Sequence, residues 1–142
     1  MTDHCSVSTS NSIEKFEERR SVLNVRNATR RRLVRVKVDG CMVVAGKRCD
    51  WLLIDEESGT EIFIELKGAD VGEGVKQICA SADALSKKPS KRFGYIVCTR
   101  SPLSSPEIQR LQKQLLKTHL LSLRVKTTIH NVDIESLVGE TN

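Results

Sequence analysis

Aromatic side chains make up only 4% of this 142-residue chain: one Trp, one Tyr and three Phe. Proteins that bind single strands stack bases on aromatic platforms, so that mode of recognition has little to work with here. No apolar run approaches the ~20 residues that a membrane-spanning helix needs. The opening Met1-Thr2-Asp3-His4-Cys5-Ser6 lacks the basic and apolar regions of a secretory signal. A cytoplasmic protein with no membrane partner is expected. The five cysteines, at 5, 41, 49, 79 and 98, include no close pair, so neither a disulfide framework nor zinc-type spacing is evident. Cys41, Cys49, Cys79 and Cys98 lie in apolar segments and are expected to pack as small hydrophobes. His4, His119 and His130 are equally scattered, and no repeat is visible.

Enough apolar chain remains for one core, at 39% hydrophobic. Residues 1–11, rich in Ser and Thr without apolar periodicity, and residues 138–142 read as flexible tails around a single domain at 12–137. The net charge of +5 conceals a division. From Arg19 to Arg48 there are ten basic residues against one acid, Asp39; from Cys49 to Glu73 there are eight acids against one base, Lys67. Arg30, Arg31, Arg32, Arg35, Lys37, Lys47 and Arg48 are therefore candidates for nucleic-acid contact, since Lys and Arg neutralise phosphates without reading sequence. The acidic stretch would repel the same phosphates unless a cation sits in it.

Within that stretch, Trp51-Leu52-Leu53-Ile54 and Ile62-Phe63-Ile64 are apolar runs of strand length joined by Asp55-Glu56-Glu57-Ser58-Gly59-Thr60, a hairpin loop. With the loop centred near Ser58, the start of the first strand falls opposite the end of the second, which brings Asp50 toward Glu65. Glu65 and Lys67, two apart, project from one face. Charges at the end of a buried strand cost several kcal/mol, on the order of the penalty for an unpaired buried ion, unless something compensates them. Mg²⁺ or Mn²⁺ is the natural compensation: such ions take one or two carboxylates, here Asp50 and Glu65, with the Leu66 carbonyl as a further oxygen. Lys67 would sit beside the attacking water. The competing structural account pairs Lys67 with Asp50 or Glu65 as an internal salt bridge.

Asp50 followed by Glu65-x-Lys67 across a hairpin resembles the PD-(D/E)xK nuclease superfamily, with Cys49 where the name has proline. The resemblance covers roughly residues 11 to 99. It implies an α/β, restriction-endonuclease-like core in the order αβββαβ, a mixed central sheet flanked by helices. Gln77-Ile78-x-x-Ser81-x-x-Ala84-Leu85 is similar to the Gln-Leu-x-x-Tyr-x-x-Ala-Leu helix of RecB-like members, with Ser81 for tyrosine. That likeness gives Gln77 a polar role near metal-bound water or phosphate. The superfamily also places a carboxylate from an N-terminal helix near the metal. Ser12–Arg20 reads as that helix, offering Glu14, Glu17 and Glu18, of which Glu17 or Glu18 is taken forward. Small resolvase-like members imply a homodimer.

The remaining elements follow from periodicity. Leu33–Val38 alternates as a strand with Arg35 and Lys37 on its cationic face, and Asp39-Gly40 turns into a short strand at Cys41–Val44. Val71–Lys87 carries a helical apolar stripe, Lys91–Thr99 is a buried strand, Ser105 to about His119 is a second helix, and Arg124–Ile129 is an edge strand. The reading that results is a Mg²⁺-dependent nuclease hydrolysing phosphodiester bonds in duplex or branched DNA. The alternative is a non-catalytic module that binds nucleic acid or protein and keeps the same fold.

Overall fold

The computed structural model describes residues 3–67, 70–89, 91–100 and 103–139, with the side chains of Asp3 and Lys67 outside that description. The chain is mixed α/β, with nine strands and three helices among the described residues. After a 3₁₀ turn at Asp3–Cys5 come β1 (Ser6–Thr9), β2 (Ile13–Glu18), β3 (Ser21–Arg26), β4 (Leu33–Lys37), β5 (Trp51–Asp55) and β6 (Glu61–Lys67). Then follow α1 (Val71–Leu85), β7 (Arg92–Cys98), α2 (Ser105–His119), β8 (Ser122–Thr127), β9 (Ile129–Asp133) and α3 (Ile134–Val138).

Six strands form a mixed sheet in the order β1-β4-β5-β6-β7-β8. The β4-β5-β6 meander is antiparallel, while β6-β7 and β7-β8 are parallel, with α1 and α2 as crossovers. Strands buried on both faces read as unbroken apolar runs, and β6 and β7 do so because each face has its own cover. Val36, Leu52, Phe63 and Ile96 meet Val75, Ile78 and Leu115 on the helical side. Leu53, Ile62, Ile64, Tyr95 and Val97 meet Phe16, Leu23 and Val25 on the other. That second cover is a three-stranded sheet, β2-β3-β9. Gly94 permits the close fit of the helical layer: a Cβ there would lie 2.8 Å from Leu121 and 3.1 Å from Ile78.

The helix expected at Ser12–Arg20 is instead the β2-β3 hairpin. Its alternation is masked because a buried position holds an acid: Glu14 and Phe16 are buried while Ile13 is 53% exposed. Glu14 accepts hydrogen bonds from Thr9 Oγ1 at 2.9 Å and Arg35 at 3.4 Å. The Arg35 guanidinium is stacked 4.0 Å from the Phe16 ring and 4.4 Å from that of Trp51.

Three further expectations are corrected. Residues 6–9, read as tail, form β1 on the sheet edge, and Cys5 is disulfide-bonded to Cys41. That bond also removes Cys41 from the set of packed free thiols. The segment 41–44 makes a turn with a single bridge between Asp39 and Val43 rather than a strand. β9 and α3 had no counterpart in the sequence reading, since β9 pairs in parallel with a strand about a hundred residues away. Among the described residues no helix is long and apolar enough to cross a membrane.

The β5-β6 turn is organised by Asp55, which is fully buried. Its carboxylate accepts from Arg31 Nε at 3.1 Å and Nη2 at 2.8 Å, and from the Ser58 amide at 3.1 Å and hydroxyl at 2.6 Å. Burial alone would raise this carboxyl; the hydrogen bonds from Arg31 and Ser58 outweigh it and hold the group below the ordinary carboxylate range. A carboxyl with a depressed folded value contributes stability that is complete above about pH 4 and is lost as pH falls through that value. Asp55→Ala is expected to cost about 3 kcal/mol in urea unfolding, because Arg31 loses its partner, and to flatten the acid limb of the stability profile.

Candidate metal and phosphate site

β5 and β6 pair so that Trp51 faces Ile64, and the Asp50 amide donates to the Ile64 carbonyl at 3.1 Å. Asp50 therefore stands opposite Glu65, as the hairpin arithmetic requires, and both side chains leave the sheet on its helical side. The two carboxyls lie within hydrogen-bonding reach of each other. Asp50 is fixed from below by the Leu66 amide, which donates to its Oδ2 at 2.8 Å. Leu66 thus touches Asp50 through its N–H.

Around this pair is a cavity of about 660 Å³, open on one side and lined by Glu18, Arg19, Arg20, Asp39, Arg48, Asp50, Glu65, Leu66, Gln77 and Thr99. Gln77 comes from α1 and points in. Its side-chain oxygen is buried and has no hydrogen-bond partner among the described residues. Burial pushes the Asp50 carboxyl up to about 6, helped by the negative charges of Glu18 and Asp39, against the opposing hydrogen bonds from Leu66 and Glu65. Two carboxyls this close cannot both stay ionised without a proton or a cation between them. The donor set, with an unpartnered amide oxygen aimed at the same space, suits a hard divalent ion.

β6 carries a contrast on this one face. Glu61, four residues before Glu65 and also buried, accepts from Ser86 Oγ at 2.6 Å and the Lys87 amide at 2.8 Å, which closes the loop after α1. Glu61 is structural; Glu65 opens on the cavity.

The structure separates the N-terminal acids. Glu18 lines the cavity and acts on Asp50. Glu17 points away and pairs with Lys15 at 3.5 Å, and Glu14 is occupied by Arg35. A strand, not a helix, delivers Glu18, because alternation turns Glu17 from the face that Glu18 shares with Phe16. β6 ends at Lys67, and the expectation for its amine, whether at the water or in a salt bridge, lies outside the described side chains.

The basic residues are redistributed as well. Arg31 serves Asp55, Arg35 serves Glu14, Lys47 pairs with Glu73 at 2.7 Å and Arg48 with Asp39 at 2.6 Å. Arg30, Arg31 and Arg32 precede the end of β4 that pairs with Asp55, five residues of β5 from Asp50 and so about 17 Å away. Lys37 is exposed near the other end. The cations that line the cavity beside Arg48 are Arg19 and Arg20, which a helix over Ser12–Arg20 would not have set apart as a hairpin tip. An Arg-Arg pair between two alternating segments was the available signal.

Cys49 and Ser81 touch. The Cys49 amide donates to Ser81 Oγ at 2.8 Å, tying α1 to the residue before Asp50. A proline at 49 has no N–H to give. No family model, curated protein or solved structure matches the chain.

Two outcomes are expected. Cys49→Pro should lower stability by about 1–3 kcal/mol in denaturant unfolding, since the Ser81 hydroxyl loses its donor. In calorimetric titration with Mn²⁺, affinity should fall about tenfold per pH unit below pH 6, where a proton competes for Asp50, and level off above it. Asp50→Asn should weaken binding and remove that dependence.

Proposed function

We propose that this protein is a metal-dependent nuclease with a restriction-endonuclease-like core, acting on phosphodiester bonds in DNA. The observation that carries the reading is the meeting of Asp50 and Glu65 in a cavity that also receives the unpartnered oxygen of Gln77. Asp50 and Glu65 would hold Mg²⁺ or Mn²⁺, with Glu18 as a third carboxylate at the rim. Bound there, the ion would supply charge stabilisation to a phosphate under attack and acidity to a coordinated water.

The chain's own groups account for the rest. The Leu66 amide locks the Asp50 rotamer, so the carboxylate is oriented before any ligand arrives. Gln77 Oε1 can accept a hydrogen bond from a water and turn its lone pair toward phosphorus. Lys67, two residues after Glu65 in the sequence, is the amine that the motif assigns to neutralising charge as it develops. Burial of Asp50 and Glu65 in a part-closed cavity strengthens each of these interactions relative to water.

Purified protein incubated with linear, nicked and branched DNA and with RNA, in Mg²⁺ or Mn²⁺, is the test. Cleavage should drop on the order of 100-fold or more in Asp50→Ala and in Lys67→Ala. Gln77→Leu should lower kcat with KM little changed, because the amide would act on the water rather than on substrate binding. Cutting that survives in both the Asp50 and Lys67 variants would locate the chemistry elsewhere.

A further inference from the structure

Arg19 and Arg20 form the two-residue turn of the β2-β3 hairpin, between the paired residues Glu18 and Ser21. Both are exposed, both line the Asp50-Glu65 cavity, and among the described residues neither is in an ion pair. Of the seven cations drawn from the sequence as nucleic-acid contacts, four are held by acids of the chain itself. We propose that Arg19 and Arg20 are a phosphate clamp, gripping the DNA backbone next to the phosphodiester that lies over Asp50 and Glu65.

Three features point this way. The tip is anchored at its base: Ser21 is buried, Phe16 is fully buried against Trp51, and the Val22 amide donates to the Thr128 carbonyl at 2.8 Å. Guanidinium groups on a fixed support lose less freedom on binding than groups on a mobile loop. The turn is also built of residues poor for its geometry. Two-residue hairpin turns favour Asn-Gly or Gly-X, yet Arg19 holds φ 54°, a left-handed conformation that an arginine adopts with strain. Lastly, the planar fork of arginine matches phosphate oxygens in pairs, and two adjacent forks at a tip suit successive phosphates along one strand. Scarce aromatics favour a partner held by its backbone over one held by stacked bases.

The clamp rests on the nuclease reading for its placement, but binding tests it separately. Wild type, Arg19→Gln/Arg20→Gln, Arg19→Lys/Arg20→Lys and a charge-matched control on the outer face of α2, Lys113→Gln/Lys117→Gln, would be titrated with a labelled DNA duplex in Ca²⁺ over a salt series. Their folding would be compared by thermal unfolding. The glutamine pair at the turn should raise Kd about tenfold or more and make the log–log salt slope shallower by nearly 2, one phosphate contact per arginine. The lysine pair should restore the slope but only part of the affinity, since a point charge replaces a fork. Where wild type cuts DNA, KM should rise with Kd and kcat should change by less than about threefold.

The clamp is overturned if the turn variant binds like the α2 control, if kcat falls while KM stays put, or if wild type binds no duplex at low salt. A wild type that binds duplex but cuts nothing would remove the nuclease reading. The difference in salt slope would still decide the clamp.

Discussion

The antiparallel register of β5 against β6 is the constraint on which the site depends. Side chains alternate along a strand, so a slip by one residue would turn Asp50 and Glu65 to opposite faces. The register is set at the far end of the hairpin. There the buried Asp55 carboxylate ties its own turn through Ser58 and is clasped by Arg31 from the segment leading into β4. A structural ion pair at one end of the sheet thus fixes where two acids meet at the other.

Charge is used in the same divided way throughout. Acids and bases that are separated in sequence are brought together in space, and two pairs, Arg31 with Asp55 and Lys47 with Glu73, join the basic block to the acidic one. Arg35 reaches back to Glu14, and Arg48 is paired within its own block with Asp39. Asp50, with its carboxyl raised to about 6, lines the cavity beside Glu65, together with Glu18 and the two turn arginines. An acid cluster of this kind is held by the surrounding fold at a cost, which a bound cation would offset.

The second sheet also lines that cavity. β2 and β3 cover one face of the main sheet with Phe16, Leu23 and Val25 and also carry Glu18, Arg19 and Arg20 to the end of β6. β9 locks this layer by pairing with β3, and α3 closes the same core through Ile134 and Leu137. The buried cover and the charged tip are thus two ends of one hairpin, and a change that loosened its packing would displace the tip.

Periodicity and turn chemistry by themselves determined β4, β5, the Asp55 turn, β6, α1, β7, α2 and, with its ends shifted by two residues, the edge strand β8, because each of these elements is local and its apolar pattern agrees with its final state. The opposition of Asp50 and Glu65 was legible for the same reason: a hairpin's register can be counted from its loop. Tertiary structure alone decided the rest. β2 looked helical because Glu14 occupies a buried strand position, tolerable only with Arg35 stacked between Phe16 and Trp51. The Cys5–Cys41 link, the β3-β9 pairing and the choice of Glu18 over Glu17 all join segments that spacing cannot relate. The fate of the arginines was equally hidden, since whether a cation faces a phosphate or an internal carboxylate depends on what the fold places beside it.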